Sequence, residues 1–281
     1  MEEKFIWNVK KNQNFLPKLN DLDNIIYVKI LFFRIKFYFV TFIRFLFSLL
    51  NSGNECLICG KKTYLIPICK ECQNLNFKID LTKSRCECCG KILISTKRTC
   101  LECRKKTVFE NVDKIYPLFS YRLWNKEILF VWKINSVRAL SYFFAKKVSE
   151  MLKKTGIEFI VPVPPRKGKI QKMGWDQIDE LCTMLEMLFG FNVMRILERT
   201  SEVQQKKLDR EERLSTIKSA YKILDENKIQ KTLKKNGGGF PDEVCIIDDV
   251  CTTGSTLECC ARILKEYGFK SVKAVCLFTV D

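Results

Sequence analysis

A run late in the chain, EVCIIDDVCTTGSTL from Glu243 to Leu257, allows few folds. Four apolar residues lead into adjacent carboxylates, Asp248 and Asp249, and then Thr252, Thr253, Gly254, Ser255 and Thr256 open a segment with helical patterning. The order predicts a buried strand, an acidic turn and a helix start. Ligands of α/β sheets sit off the carboxyl ends of strands, and a helix start offers unpaired N–H groups and the positive end of the macrodipole, which suits a phosphate. The two carboxylates can accept hydrogen bonds from vicinal sugar hydroxyls or help to hold a hydrated divalent cation. The hydroxyls add donors, and Gly254 lets the backbone approach closely. An N-cap cluster after an ordinary strand is the plainer alternative.

The chain contains no histidine. That excludes Ser/His/Asp and Cys/His catalysis and leaves cysteine as the soft metal ligand. Eight of the fifteen cysteines fall in four C-x-x-C pairs: Cys56 and Cys59, Cys69 and Cys72, Cys86 and Cys89, Cys100 and Cys103. This is metal spacing and not a disulfide framework, because a C-x-x-C turn converges two thiolates and two turns complete a tetrahedral Zn²⁺ site. Eight ligands imply two ions, or one working site and one that has decayed. Consecutive and interleaved pairings both satisfy the sequence, and Cys88 could replace either neighbour in register. Cys182, Cys245, Cys251, Cys259, Cys260 and Cys276 read mostly as core residues, with Cys251 inside the loop.

Together the run and the cysteines resemble the ComF family of competence-associated proteins, in which a cysteine-rich zinc module precedes a type I phosphoribosyltransferase domain. The similarity covers about residues 56 to 281. It implies an α/β fold, a parallel sheet with flanking helices, preceded by the small zinc module. It also implies binding of phosphoribosyl pyrophosphate, or a nucleotide, with Mg²⁺. Asp248 and Asp249 would meet the ribose hydroxyls and act as the catalytic carboxylates, and Thr252 to Thr256 would hold the 5-phosphate. The loop after the strand IEFIVPVPPRKGK would hold the diphosphate through Arg166 and Lys167. Partners implied are single-stranded DNA and the DNA-uptake machinery.

Other family motifs are altered. WKINS keeps Lys133 of an L-K-F-x-G pattern but not its aromatic residue or glycine, and KMGWDQ keeps Gly174 and Gln177 of R-G-F-N-Q while Trp175 stands for Phe and Asp176 for Asn. RTSEVQQKKLDREERLSTIKSAY resembles the hood-loop signature, with Gln205, Leu208, Arg213 and Ala220 in place; Arg210 and Arg213 are its candidate phosphate contacts. A charged helix with Glu–Arg pairs is the alternative there. A noncatalytic single-stranded DNA-binding factor with a relic nucleotide pocket is the second functional reading.

The expected organisation is a basic, apolar-aromatic extension over residues 1–54, the zinc module over 55–110 and the transferase-like domain over 111–281. A net charge of +49 − 32 = +17 suits polyanionic partners. Lys97, Arg98, Arg104, Lys105 and Lys106 cluster around the last knuckle, which either touches nucleic acid or docks on the larger domain. Residues 25–50 are rich in aromatic and aliphatic side chains, with Lys29, Arg34, Lys36 and Arg44 within about half of a helical wheel. Three readings stand for this segment: a helix packed on the domain, a helix lying in a membrane interface, or a weak spanning or signal-like segment. With zinc-ligating thiols, the first reading fits a cytoplasmic protein and the second a cytoplasmic protein peripheral to a membrane through this helix.

Overall fold

The computed structural model of the chain describes residues 21–50, 54–79, 84–93, 97–105, 109–200, 220–235 and 239–280. A long helix, α1 (Asp21–Leu50), comes first. The short ladder of β1 (Asn54–Glu55) and β2 (Lys62–Thr63), with helix α2 (Lys70–Asn76), frames the first knuckle, and α3 (Leu101–Lys105) closes the second. Then follow β3 (Lys114–Ser120), α4 (Trp124–Lys133), α5 (Ala139–Thr155), β4 (Phe159–Pro162), α6 (Lys169–Met173), α7 (Gln177–Phe189) and β5 (Asn192–Val193). The last part of the chain forms β6 (Leu197–Arg199), β7 (Tyr221–Ile223), α8 (Glu226–Lys235), β8 (Glu243–Cys251), α9 (Ser255–Tyr267) and β9 (Ser271–Thr279).

Five strands make one sheet in the order β3-β9-β8-β4-β5, parallel throughout. Parallel strands covered on both faces are apolar almost continuously, and β8 and β9 meet that demand with Val244 to Ile247 and Ala274 to Phe278 all buried. One face packs on α5 and α7 through residues such as Phe144, Val148, Leu181 and Leu185. The other packs on α9 through Leu257, Cys260 and Leu264. The crossover from β8 runs through α9 toward β9, whereas the crossover from β4 runs through α7 toward β5. Between β8 and β4 the strand order therefore reverses, and the crevice at their carboxyl ends is where such sheets bind ligands.

The cysteine-rich segment shares the transferase-side core. Phe77, just past α2, is completely buried, with its ring 5.0 Å from Phe119 and 5.1 Å from Phe143. The second knuckle abuts β3, where Arg85 Nη1 donates to the carbonyls of Gly90 (3.1 Å) and Pro117 (3.0 Å). Helix α1 packs on α7, with Arg34 Nε donating to the Met187 carbonyl at 2.8 Å. This is the packed arrangement among the three readings of residues 25–50. Among the described residues no helix is long and apolar enough to cross a membrane.

Candidate sugar-phosphate site and thiolate clusters

Strand alternation separates the two carboxylates. Cys245 and Ile247 face the α5/α7 side, and Val244 and Ile246 face α9. Asp249 continues the first series: its Oδ2 accepts from Lys133 Nζ and from Gln177 Nε2, each at 2.7 Å. Asp248 continues the second, near Tyr221 and Cys260, and its Oδ1 accepts from the Asp249 N–H at 2.8 Å. Their protonation diverges accordingly. Burial and the neighbouring Asp249 charge push Asp248 well above the usual carboxylate range. Burial acts on Asp249 in the same direction, but the Lys133 ammonium and the Gln177 amide outweigh it and hold that carboxyl below its ordinary value.

A second ring of polar contacts surrounds this pair. Lys169 Nζ donates to Asp176 Oδ2 at 2.6 Å and also to Gln177 Oε1. Asp176 caps α7, its Oδ1 accepting from the N–H groups of Ile178 and Asp179 at 3.0 Å each. The chain Lys133–Asp249–Gln177–Lys169–Asp176 thus ties the ends of α4 and β8 to the starts of α6 and α7. Sequence reasoning kept Lys133, Gln177 and Asp176 only as motif positions and did not connect them to Asp249, which only the three-dimensional crossing of these elements reveals.

The motif departures also meet. Ser136 stands where the family pattern has glycine, and its φ is +56°, the left-handed conformation that glycine adopts without strain. Trp175, which replaces Phe, donates its indole N–H to Ser136 Oγ at 3.1 Å, under the Arg138 guanidinium at 5.8 Å. One substitution therefore supplies the hydrogen bond that holds the other.

The loop from Thr252 to Thr256 opens α9. Thr252 and Thr253 are exposed, Ser255 and Thr256 half-buried. Gly254 is the N-cap, at φ +77° and with no side chain to cap the helix; the Ser255 N–H makes a long bond to Thr253 Oγ1 at 3.4 Å, and the N–H groups that follow keep their capacity for an anion. A Cβ at Gly254 would strike the Phe109 ring, which backs the loop. Thr253 Oγ1 and Ser255 Oγ are 2.9 Å apart. Across the switch point, Arg166 and Lys167 are exposed just beyond β4. The hydroxyls and N–H groups supply donors and the half-buried Asp248 an acceptor, a set whose chemistry fits a sugar phosphate with a hydrated cation. Arg210 and Arg213 lie outside the described residues. The flanks of that segment are joined by the β6–β7 ladder, with Arg199 opposite Tyr221 and the Thr200 N–H donating to the Ala220 carbonyl at 2.8 Å.

The thiols gather into two clusters, Cys56–Cys59–Cys69–Cys72 and Cys86–Cys89–Cys100–Cys103, with the Sγ atoms in each within 4.8 Å of one another. The pairing is consecutive, and Cys88 stands outside both. Each is a four-thiolate arrangement of the kind that holds Zn²⁺. N–H groups point at the sulfurs in the same way in both: Cys69 N–H at Cys56 Sγ and Cys100 N–H at Cys86 Sγ, each 3.3 Å. Burial pushes Cys56 and Cys86 up, but these and neighbouring N–H groups outweigh it and bring the thiols down to about 6 and about 7. The repetition extends further. Cys56 N–H donates to the Lys61 carbonyl and Cys86 N–H to that of Lys91, both at 2.8 Å; Lys61 pairs with Glu71 and Lys91 with Glu102. Two copies of one unit, ECLICGK…CKEC and RCECCGK…CLEC, are therefore present, a repeat that the cysteine spacing alone did not expose.

An acidic strand end facing a hydroxyl-rich helix start at a switch point is how type I phosphoribosyltransferases are laid out, and residues 215–281 match the phosphoribosyl transferase domain family. The fold and this match define a phosphoribosyltransferase-like protein. Over 238 residues, 79% of this chain and 99% of the relative, the chain is 27% identical to a protein named Competence protein ComFC from Streptococcus pneumoniae. It is also 29% identical over 119 residues to Competence protein F from Haemophilus influenzae, a match that covers 41% of this chain and about half, 48%, of that protein. With its doubled thiolate clusters ahead of the parallel sheet, the chain resembles these competence proteins along most of its length.

Proposed function

We propose that this chain binds phosphoribosyl pyrophosphate with Mg²⁺ at the carboxyl end of β8 and that it serves competence, the property named in its relatives. The observation that carries this reading is the uncapped start of α9 beside Asp248 at the switch point. The 5-phosphate would take the N–H groups and hydroxyls of Thr252 to Thr256. Asp248 would meet the ribose hydroxyls or the hydrated cation. Asp249, whose Oδ2 is taken by Lys133 and Gln177, serves chiefly to fix the strand end and its neighbours. Arg166 and Lys167 would neutralise the diphosphate. Mg²⁺ would lower the charge of the leaving diphosphate. In a displacement at the anomeric carbon, positive charge builds on the ribose and negative charge on the leaving group, and Asp248 would answer the first and Arg166 with Lys167 the second. In the knuckles the eight thiolates would hold two structural Zn²⁺ ions.

Calorimetry of the full chain with phosphoribosyl pyrophosphate and Mg²⁺ tests the site. Saturable binding is expected, weakened about tenfold or more (~1.4 kcal/mol) by Asp248→Asn and by Thr253→Val, with the latter leaving the melting temperature unchanged. Unaltered affinity in both variants would refute the assignment.

The second reading, a noncatalytic factor that binds single-stranded DNA, draws on Lys97, Arg98, Arg104 and Lys105, all exposed around the second knuckle. Phosphate contacts there require affinity that falls linearly in log–log terms with salt, and reversal of Arg104 and Lys105 should flatten that slope. A salt-independent affinity would remove this reading.

A further inference from the structure

Helix α1 has two faces that differ in what they touch. Its inner stripe is fixed: Phe37 packs on Tyr142 with ring centroids 5.3 Å apart, Arg34 bonds the end of α7, and Phe45 meets Tyr64 of the first knuckle at 6.3 Å. Its outer stripe is apolar and bare. Leu31, Ile35, Tyr38, Phe42 and Leu46 recur at three- and four-residue intervals with Phe39 beside them, and Phe39 and Phe42 are 64% and 57% exposed. A helix that belongs only to a water-soluble domain turns its apolar stripe inward; here a second apolar stripe points away from the domain.

The border of that stripe carries charge of one sign. At about 100° per residue, Lys29 and Lys36 fall together along one edge, and no Asp or Glu occurs between Asp23 and Glu55. A second copy laid against this stripe would find no carboxylate along it to meet its lysines, because the only two on the helix, Asp21 and Asp23, stand at its very start. An anionic lipid surface complements both features, since acyl chains accept the aromatic stripe and headgroup phosphates accept the ammonium groups. The helix does not cross the bilayer: Lys29, Arg34, Lys36 and Arg44 interrupt it, in keeping with the absence of a membrane-crossing helix among the described residues.

We propose that α1 lies in the interface of an anionic bilayer, with the Leu31–Leu46 stripe among the upper acyl chains and Lys29 and Lys36 at the headgroups. The surface is separate from the sugar-phosphate site, so the two stand or fall independently. Flotation of the full chain with phosphatidylglycerol/phosphatidylcholine vesicles and with pure phosphatidylcholine vesicles tests it. Recovery with the anionic vesicles should be about tenfold higher or more, and the Lys29→Gln/Lys36→Gln double variant should bring it down to the zwitterionic level. Phe39→Asp should abolish flotation with zinc content and near-ultraviolet dichroism unchanged. In the Phe39→Trp variant, tryptophan emission should move to the blue with anionic vesicles alone. Equal partition into both vesicle types, or a Phe39→Asp chain that floats like its parent, overturns the proposal. A lipid-independent dimer that Phe39→Asp dissociates overturns it too, and gives the face to a second copy.

Discussion

Asp248 and Asp249 occupy successive positions on one strand, and the pleat that sends them to opposite faces also gives them opposite relations to protons. The folded state holds a proton on Asp248 more tightly than the unfolded chain does, so this residue lowers stability as pH rises through the unfolded and then the folded value. Asp249 behaves conversely, stabilising the fold above the unfolded carboxylate pKa and losing that contribution as pH falls. Asp248→Asn is therefore expected to raise the melting temperature at neutral pH, with the gain fading as pH falls through about 4, below which an aspartyl group is protonated in either state. A gain that persists unchanged in acid would contradict the raised value. At Ser136 and Trp175 the prediction is a coupling. In a double-mutant cycle with Ser136→Ala and Trp175→Phe, each single change loses the same hydrogen bond, so the double variant should cost about 1 kcal/mol less than the sum. Additive denaturation midpoints would deny that the two departures compensate. The Ser136–Trp175 pairing was not visible along the sequence, because the two residues lie 39 positions apart and a left-handed serine carries no signal of its own. The carboxylate pair and the hydroxyl loop were legible there because their chemistry is contiguous.

At the scale of elements, the two knuckles are alike in sequence and in hydrogen bonding but not in their surroundings. Gly60 and Gly90 share φ +71°, yet a Cβ at Gly60 meets open space, whereas at Gly90 it strikes the Ile115 carbonyl and the Pro117 ring. Gly60→Ala should then cost only the conformational penalty of about 1 kcal/mol, and Gly90→Ala distinctly more, on the order of 3 kcal/mol, since the knuckle must lift from β3. Equal losses in chemical denaturation would show that the second knuckle does not bear on the sheet. The strands β3, β4, β8 and β9 and helices α4, α5 and α9 were foreseeable from apolar runs and helical spacing. The docking of the knuckles was not, because Phe77 and Gly90 look ordinary until the surface they press on is known.

For the whole molecule, one continuous core joins the first knuckle to the transferase sheet through Cys56, Ile68, Cys72 and Phe77. With the Zn²⁺ proposed for the knuckles bound, its removal by a chelator should consequently lower the melting temperature of the entire chain in a single transition, and not melt a small unit first. Two separated transitions would mean that the cores are energetically distinct. The overall plan, a thiolate segment before a parallel α/β sheet, followed from cysteine spacing and from the late acidic strand. Which sheet edge the segment covers, and how α1 lies on α7, depend on long-range contacts that no local pattern encodes.

The position of β9 has a temporal corollary. This strand, Ser271–Thr279, is the last element described, yet it lies between β3 and β8. During synthesis β3 must wait, its hydrogen-bonding edge unpaired, until some 150 further residues have been made. A chain cut just before Ser271 would lose the middle of the sheet and not its margin, leaving two apolar strand edges exposed to neighbouring nascent chains.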